Sequence, residues 1–388
     1  MNSPSNYKQS SDTPNVGLVL SGGGARGAYQ AGVIKAIAEI SENNGVKKPL
    51  PILTGVSAGA INSTFLAANS ENLFQASNDL ASLWSRLTSE QVFRTTATSA
   101  GISGLRLLSD AAFGALYGKK LAKSLLDTTP LAYFLDKHIK FDKIERNLRL
   151  GHIDSLAITA MNYTSAHNIT FVQATEHVPM WHRSRRRSQM AKIKAEHVMA
   201  SSAIPLFFPP VAVDNHHYGD GCLRNSAPLS PAIHLGANRV MVISVRKADA
   251  PYNPEVIPTI EPSLARVIGV VLNALILDAI DVDMERMSRV NQTLTYVPET
   301  LRDQLHLRKV DYFWIRPSRD IGQLAGELFN RLPKVIRYLV AGLGSSREAA
   351  ELTSYLLFDP DFCGQLVQLG YDDAMTQEQE IQKFLFGS

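Results

Sequence analysis

A chain of 388 residues is too long for one minimal core and fits one large α/β domain, or such a domain with a smaller helical extension. With 45% hydrophobic and 19% charged residues it is an ordinary globular composition, and a net charge of +3 is too small to argue for nucleic acid. The two cysteines, Cys222 and Cys363, lie far apart, which excludes a disulfide framework and zinc-type ligand spacing and favours a reducing, cytoplasmic setting.

Residues 1–15 are polar, rich in Ser, Asn and Pro, and lack the apolar core of a secretory signal; they read as a disordered lead-in. Val16–Leu20 is the first strand. It ends in Ser21-Gly22-Gly23-Gly24, and a helix-length apolar segment, Ala28–Ile40, follows Gly27 before Asn43-Asn44-Gly45 stops it. Leu50–Thr54 is a second strand, leading into Gly55-Val56-Ser57-Ala58-Gly59 and a helical run through Ala68. Strand, helix, strand, helix in this rhythm predicts a mostly parallel sheet covered on both faces. From Leu73 to Asn147 the pattern is mainly helical, with a glycine-punctuated stretch from Gly101 to Gly118. Ser155–Asn162 and Asn168–Gln173 are strands, and Met190–Ala203 is a helix stopped by Pro205. Arg239–Val245 and Val310–Ile315 return as strands on either side of one helix, Leu264–Val290. Beyond Pro317 the chain is helical. The most apolar stretch, Leu264–Ile280, is broken by Arg266, Asn273 and Asp278, so it reads as a packed helix and not a membrane span.

Two glycine motifs carry chemistry. Gly22 to Gly27 satisfies G-x-G-x-x-G between a strand and a helix, the form of a dinucleotide-binding loop. That use wants an acid at the end of the second strand, and the nearest one, Glu42, falls in a turn. The same geometry also gathers backbone N–H groups of Gly22, Gly23, Gly24, Ala25 and Arg26 around one point beside a helix N-terminus, as an oxyanion hole requires. Arg26 adds a positive charge that orients the loop or holds an anionic substrate. Gly55-Val56-Ser57-Ala58-Gly59 is G-x-S-x-G between a strand and a helix, where a sharp turn projects a serine at the sheet's carboxyl edge; Gly55 and Gly59 remove side chains that would clash. A serine needs a base. His234 lies in a helix-like segment and His306 in a polar run, and both read as surface or satisfied histidines. Asp220 stands between Gly219 and Gly221 after a short strand, Val211–Val213, and a turn; alone it reads as a turn residue.

In that order, Gly22-Gly23-Gly24-Ala25-Arg26-Gly27, Gly55-Val56-Ser57-Ala58-Gly59 and Asp220-Gly221 resemble the patatin-like phospholipases, and Ala200-Ser201-Ser202-Ala203-Ile204-Pro205 is similar to the stretch that family carries before its aspartate. The resemblance covers about residues 16–246. It implies a three-layer α/β/α sandwich, with residues 16–246 as the catalytic domain and 247–388 completing the sheet edge and adding a helical extension. It also implies a Ser57–Asp220 dyad with no catalytic histidine, no metal or organic cofactor, and hydrolysis of fatty-acyl esters of lipids. Cys222 departs from the family's Gly or Ala; cysteine is still small, so the turn is expected to survive, though a crowded dyad would lower the rate. Hydrolysis of neutral or simple esters is the alternative within this reading; silent lipid binding and nucleotide binding are the alternatives outside it. The basic run Trp181-His182-Arg183-Ser184-Arg185-Arg186-Arg187, with Lys192 and Lys194, reads as a solvated loop, or as a contact with anionic headgroups with Trp181 at the interface. The helices of Leu73–Ala115, or those at the C-terminus, are candidates for a lid over an apolar acyl groove.

Overall fold

Short aliphatic runs separated by helix-length segments build a ten-stranded sheet in the computed structural model, which describes residues 15–94, 124–175, 178–248, 261–305 and 307–387. The strands are β1 (Val16–Leu20), β2 (Ile52–Gly55), β3 (Ser155–Asn162), β4 (His167–Ala174), β5 (His182–Arg183), β6 (Arg186–Met190), β7 (Val211–Val213), β8 (His216–Asp220), β9 (Arg239–Ile243) and β10 (Asp311–Ile315). Their order is β10-β9-β1-β2-β3-β4-β6-β5, with β8 paired to β3 and β7 to β8. From β10 through β9, β1 and β2 to β3 every pairing is parallel.

Alternation along the central strands explains the layers. Leu18 and Leu20 of β1, with Met241 and Ile243 of β9, enter the larger core; Val19, Val240 and Val242 between them enter a second core on the opposite face. Successive side chains of a strand point to opposite faces, so a sheet apolar at both parities must be covered twice. The larger core is closed by α1 (Gly27–Asn43), α2 (Ala58–Ala68), α3 (Leu73–Ser85), α4 (Thr129–His138) and the C-terminal helices, among them α8 (Ala350–Leu356) and α9 (Pro360–Met375). The expected three-layer α/β/α sandwich, with a mostly parallel sheet, is what forms.

Three expectations are corrected. The single helix Leu264–Val290 is two helices, α6 (Leu264–Ile276) and α7 (Asp278–Thr295), parted at Leu277. Ala265, Leu272 and Ile276 of α6 join the larger core, whereas Ile280, Met284 and Met287 of α7 join the second. One straight helix cannot cover both faces of a sheet. The helix expected over Met190–Ala203 is confined to α5 (Ala195–Ser201), because the sheet keeps the chain extended through Met190 in β6 and Ala191 donates to the Val172 carbonyl. Trp181, read as part of a solvated loop or as sitting at a membrane interface, is only 7% exposed and stacks on the His234 ring at 4.8 Å, while the residues after it form the β5–β6 hairpin.

Residues 1–14, the stretch Gly101–Gly118, His306 and the 95–115 part of the lid expectation lie outside the described residues. Asn15 does not belong with the lead-in: its N–H donates to the Asn238 side chain at 2.7 Å. No helix among the described residues is long and apolar enough to cross a membrane.

Candidate active site

One strand brings the two sequence motifs together. The first half of β3 pairs in parallel with β2, ending at Gly55 opposite Ile158. Its second half pairs antiparallel with β8, where Asp220 stands opposite Ala160. The two strands therefore run head-on along the same edge of β3 and end one residue apart, at Thr159. Past its end β2 turns into Ser57; β8 delivers Asp220 directly. Gly221 makes the approach feasible, since a Cβ there would lie 2.2 Å from the Thr159 carbonyl oxygen and 2.7 Å from Val56.

Ser57 has φ 55° and ψ −125°, a conformation that costs an L-residue energy and persists only when its surroundings enforce it. The enforcement is visible. Ser57 N–H donates to Ser201 Oγ at 3.0 Å, Ser201 Oγ donates to the Thr159 carbonyl at 2.7 Å, and Ser202 Oγ donates to the Ser57 carbonyl at 3.1 Å. Both serines come from the Ala200–Pro205 run, whose bracing role no local pattern reveals. Gly55 and Gly59 pack backbone against backbone: a Cβ on Gly55 would meet the Gly59 carbonyl oxygen at 2.2 Å, and one on Gly59 the Leu20 carbonyl oxygen at 2.3 Å.

Asp220 is 1% exposed. Oδ1 accepts the Cys222 N–H at 2.9 Å, and Oδ2 is sealed from solvent with no hydrogen-bond partner of ordinary length among the described residues. Burial raises the carboxyl pKa to about 6 against the pull of the Cys222 N–H, the Ser57 hydroxyl and the Cys222 thiol. Ser57 thus lies within interaction range of a carboxyl whose Oδ2 has no hydrogen-bond partner of ordinary length among the described residues. Tyr163 stands nearby, its hydroxyl pKa raised by partial burial and by the Asp220 charge. Cys222 is buried, and its thiol pKa is driven up by burial and by Asp220.

The glycine loop passes under the same point. Gly24 has φ +56°, and a Cβ there would meet the Tyr355 carbonyl oxygen at 2.3 Å; one on Gly22 would meet Cys222 Sγ at 2.4 Å and Ser57 Cβ at 3.1 Å. A short 3-10 turn, Gly24–Arg26, continues into α1, and the first N–H groups of such a helix have no intrahelical partner. Not all five loop residues are equal. Gly22 N–H faces the Cys222 sulfur and Arg26 N–H donates to the Gly23 carbonyl at 3.1 Å, so these two amides are already engaged. Gly27 lets α1 lie against α2 and α3, since a Cβ there would meet Ala58 at 2.7 Å and the Trp84 ring at 2.9 Å. The Arg26 guanidinium, expected to orient the loop or hold an anionic substrate, does the former: it is 3% exposed and bonded to α8. Glu42, read as a turn residue, belongs to the last turn of α1, while β2 leads into the serine turn and not to a ribose-binding acid. His234 is neutral near neutrality, its pKa lowered to about 4 by burial and by Arg183, Arg186 and Arg308.

A narrow apolar cavity lies against Ser57, with about 660 Å³ of empty space when open solvent is included. Its walls are Ile61 and Phe65 of α2, Leu83 and Trp84 of α3, Leu131, Phe134 and Leu135 of α4, and Ile204, Phe208 and Phe358. The polar side chains on it are those of Ser57, Ser202 and His138, apart from the Trp84 indole N–H, which is taken by Asn62 at 2.7 Å. Asn62 donates to Gln30, and Gln30 to the Ser21 carbonyl, so buried hydrogen bonds run from the cavity wall to the start of the glycine loop.

The family model described as patatin-like phospholipase matches residues 18–233, more than half of the chain. The chain belongs to the patatin-like phospholipase family. As such it is a lipid acyl hydrolase. Among solved structures it is similar to VipD from Legionella pneumophila, at 15% identity over 94% of this chain and 67% of that one, with a TM-score of 0.38. It is also similar to the complex of SpcU with ExoU from the type III secretion system of Pseudomonas aeruginosa, at 16% identity over 92% of this chain and 71% of that one, with a TM-score of 0.29. A search of curated proteins finds no match.

Proposed function

We propose that this patatin-like phospholipase cleaves fatty-acyl esters of phospholipids with Ser57 as nucleophile and Asp220 as its base. The observation that carries the reading is the apolar cavity lined by Ser57, the serine lying within interaction range of a buried carboxyl that has an unpartnered oxygen among the described residues. Asp220 takes the Ser57 proton as Oγ attacks the ester carbonyl. The N–H groups of the Gly22–Arg26 loop, chiefly those of Gly23 and Gly24, stabilise the tetrahedral oxyanion, each contributing about 3–4 kcal/mol. Collapse expels the alcohol or lysolipid, protonated by Asp220, and leaves an acyl-serine. Asp220 then deprotonates a water molecule, whose attack releases the fatty acid and returns the proton to Ser57. Nothing in these steps draws on a metal or an organic cofactor.

The substrate lies in a lipid surface, so the enzyme meets it from the aqueous, cytoplasmic side as a peripheral visitor. The β5–β6 hairpin, with Arg183, Arg185 and Arg187 exposed, is the surface we assign to anionic headgroups. Labelling with a fluorophosphonate, followed by mass spectrometry of the modified peptide, tests the chemistry: the adduct is expected on Ser57 and is lost in Ser57→Ala. Ester hydrolysis that survives in that variant rejects the nucleophile. Release of fatty acid from phosphatidylcholine vesicles, compared with a short-chain ester, tests the substrate class.

A further inference from the structure

The glycine loop is held from outside the part of the chain that matches the family. Arg26 Nε donates to Ser354 Oγ at 2.8 Å, its guanidinium meets Glu351 Oε2 at 2.5 Å, and it lies 4.6 Å from the centroid of the Tyr355 ring. Two further bonds close the arrangement into a ring: Asn273 of α6 donates to Glu351 Oε2 at 2.9 Å and accepts from the Tyr355 hydroxyl at 2.7 Å. Glu351 is wedged in place. A Cβ on Gly322 would lie 2.4 Å from its Oε1, and one on Gly269 would lie 2.9 Å from its Cβ. Burial works against ionisation of Glu351, but Arg26 and Asn273 outweigh it and lower the pKa, so Glu351 is a carboxylate at neutral pH. The backbone is gripped as well, because Gly24 Cα faces the Tyr355 carbonyl too closely to accept a side chain.

We infer that Glu351 is a positioning residue for ester hydrolysis: through Arg26, and seconded by Asn273 and Tyr355, it fixes the Gly22–Arg26 loop in the geometry that receives the oxyanion. The inference rests on the proposed serine chemistry. It extends the catalytic unit to α8, beyond residue 233, where the family match ends. A buried guanidinium without its carboxylate must find another partner or drag its loop toward water, and amides that shift by an ångström no longer converge on one oxygen. Donors of this kind act on charge that exists only in the transition state, so their loss falls on kcat and leaves KM alone.

The experiment compares full-length wild type with Glu351→Ala, Glu351→Gln and Tyr355→Phe on a short-chain ester, together with the rate of fluorophosphonate labelling at Ser57. Thermal unfolding establishes that each variant is folded at the assay temperature. Glu351→Ala is expected to lose about 100-fold in kcat, the scale of one oxyanion donor, with KM within about twofold of wild type and labelling slowed in parallel. Glu351→Gln, which keeps an acceptor for Arg26, is expected to recover most of that loss; Tyr355→Phe, which opens the ring at one bond, loses a few-fold. Unchanged kcat in folded Glu351→Ala, an effect on KM alone, or a loss that merely follows the unfolded fraction would overturn the assignment. If Glu351→Ala does not fold, Tyr355→Phe decides: a few-fold loss in kcat at unchanged KM supports the assignment, and an unchanged kcat in the folded variant overturns it. Absence of a Ser57 adduct in wild type would instead sink the serine chemistry, so the two failures are told apart.

Discussion

Asp220→Asn separates catalysis from stability with opposite signs. The Asp220 carboxyl is fully buried and its pKa rises from 3.8 to about 6, a shift of about two units, or ~3 kcal/mol at ~1.4 kcal/mol per unit. A carboxyl with a folded-state pKa above its unfolded value holds its proton more tightly when folded. Its contribution to stability is therefore fully present below about pH 3.8 and is lost as pH rises through about 6. Asparagine fills the same volume, keeps an oxygen for the Cys222 N–H, and buries no charge. The variant is expected to be inactive yet more stable than wild type by ~3 kcal/mol at pH 7.5, with the gap closing as pH falls toward 4. At ~2.1 cal/mol/K of unfolding entropy per residue, ~3 kcal/mol amounts to a rise of about 4 °C in the unfolding midpoint. Thermal unfolding of both proteins at pH 4, 6 and 7.5 measures it. A variant no more stable than wild type at pH 7.5, or a gap that ignores pH, would refute the view that Asp220 is a charge buried at a cost for the sake of function.

The same shift sets the pH dependence of turnover: kcat/KM is expected to rise tenfold per pH unit below about 6 and level off above it, in a profile that a buffer-matched series from pH 4.5 to 8.5 resolves. Ser57→Gly relieves the positive φ and should be inactive but about 1 kcal/mol more stable in chemical denaturation; a destabilised variant would mean the turn is not strained. Ile61 lines the cavity one helical turn beyond Ser57, so Ile61→Trp should cut hydrolysis of long-chain esters at least about tenfold more than that of short-chain ones, the equivalent of ~1.4 kcal/mol of acyl binding. His234→Ala should leave kcat within about twofold of wild type, since the ring stacks on Trp181 in the second core; loss of turnover in a folded variant would favour a conventional triad.

Most of the sheet was legible because its strands are aliphatic runs cut by glycine turns, and Val16–Leu20 and Ser155–Asn162 fall where their composition puts them. The serine turn was legible for a related reason: flanking glycines are the residue choice that a strained strand-to-helix turn demands. β8 was not, since His216-His217-Tyr218-Gly219-Asp220 has no strand periodicity and is extended only because β3 offers it a partner. The break at Leu277 is equally silent, because it depends on which face of the sheet each half of the helix meets. Arg26 was noticed but its partner was not legible: Glu351 is more than 300 residues away in sequence and carries no local signal. The bracing serines stood in a recognised run, but their bonds to Thr159 and Ser57 follow from tertiary approach alone.

The head-on meeting of β2 and β8 along one strand has a consequence for how such enzymes diversify. Because Ser57 and Asp220 take their spacing from a third element, the connections around that element are under no obligation to keep their length. Surface segments between residue 57 and residue 220, apart from β3 and the Ala200–Pro205 run that braces Ser57, can be lengthened or trimmed while the two residues stay in register. What cannot drift is the middle of β3, where a slip of one position would part Ser57 from Asp220 and leave both strands otherwise intact.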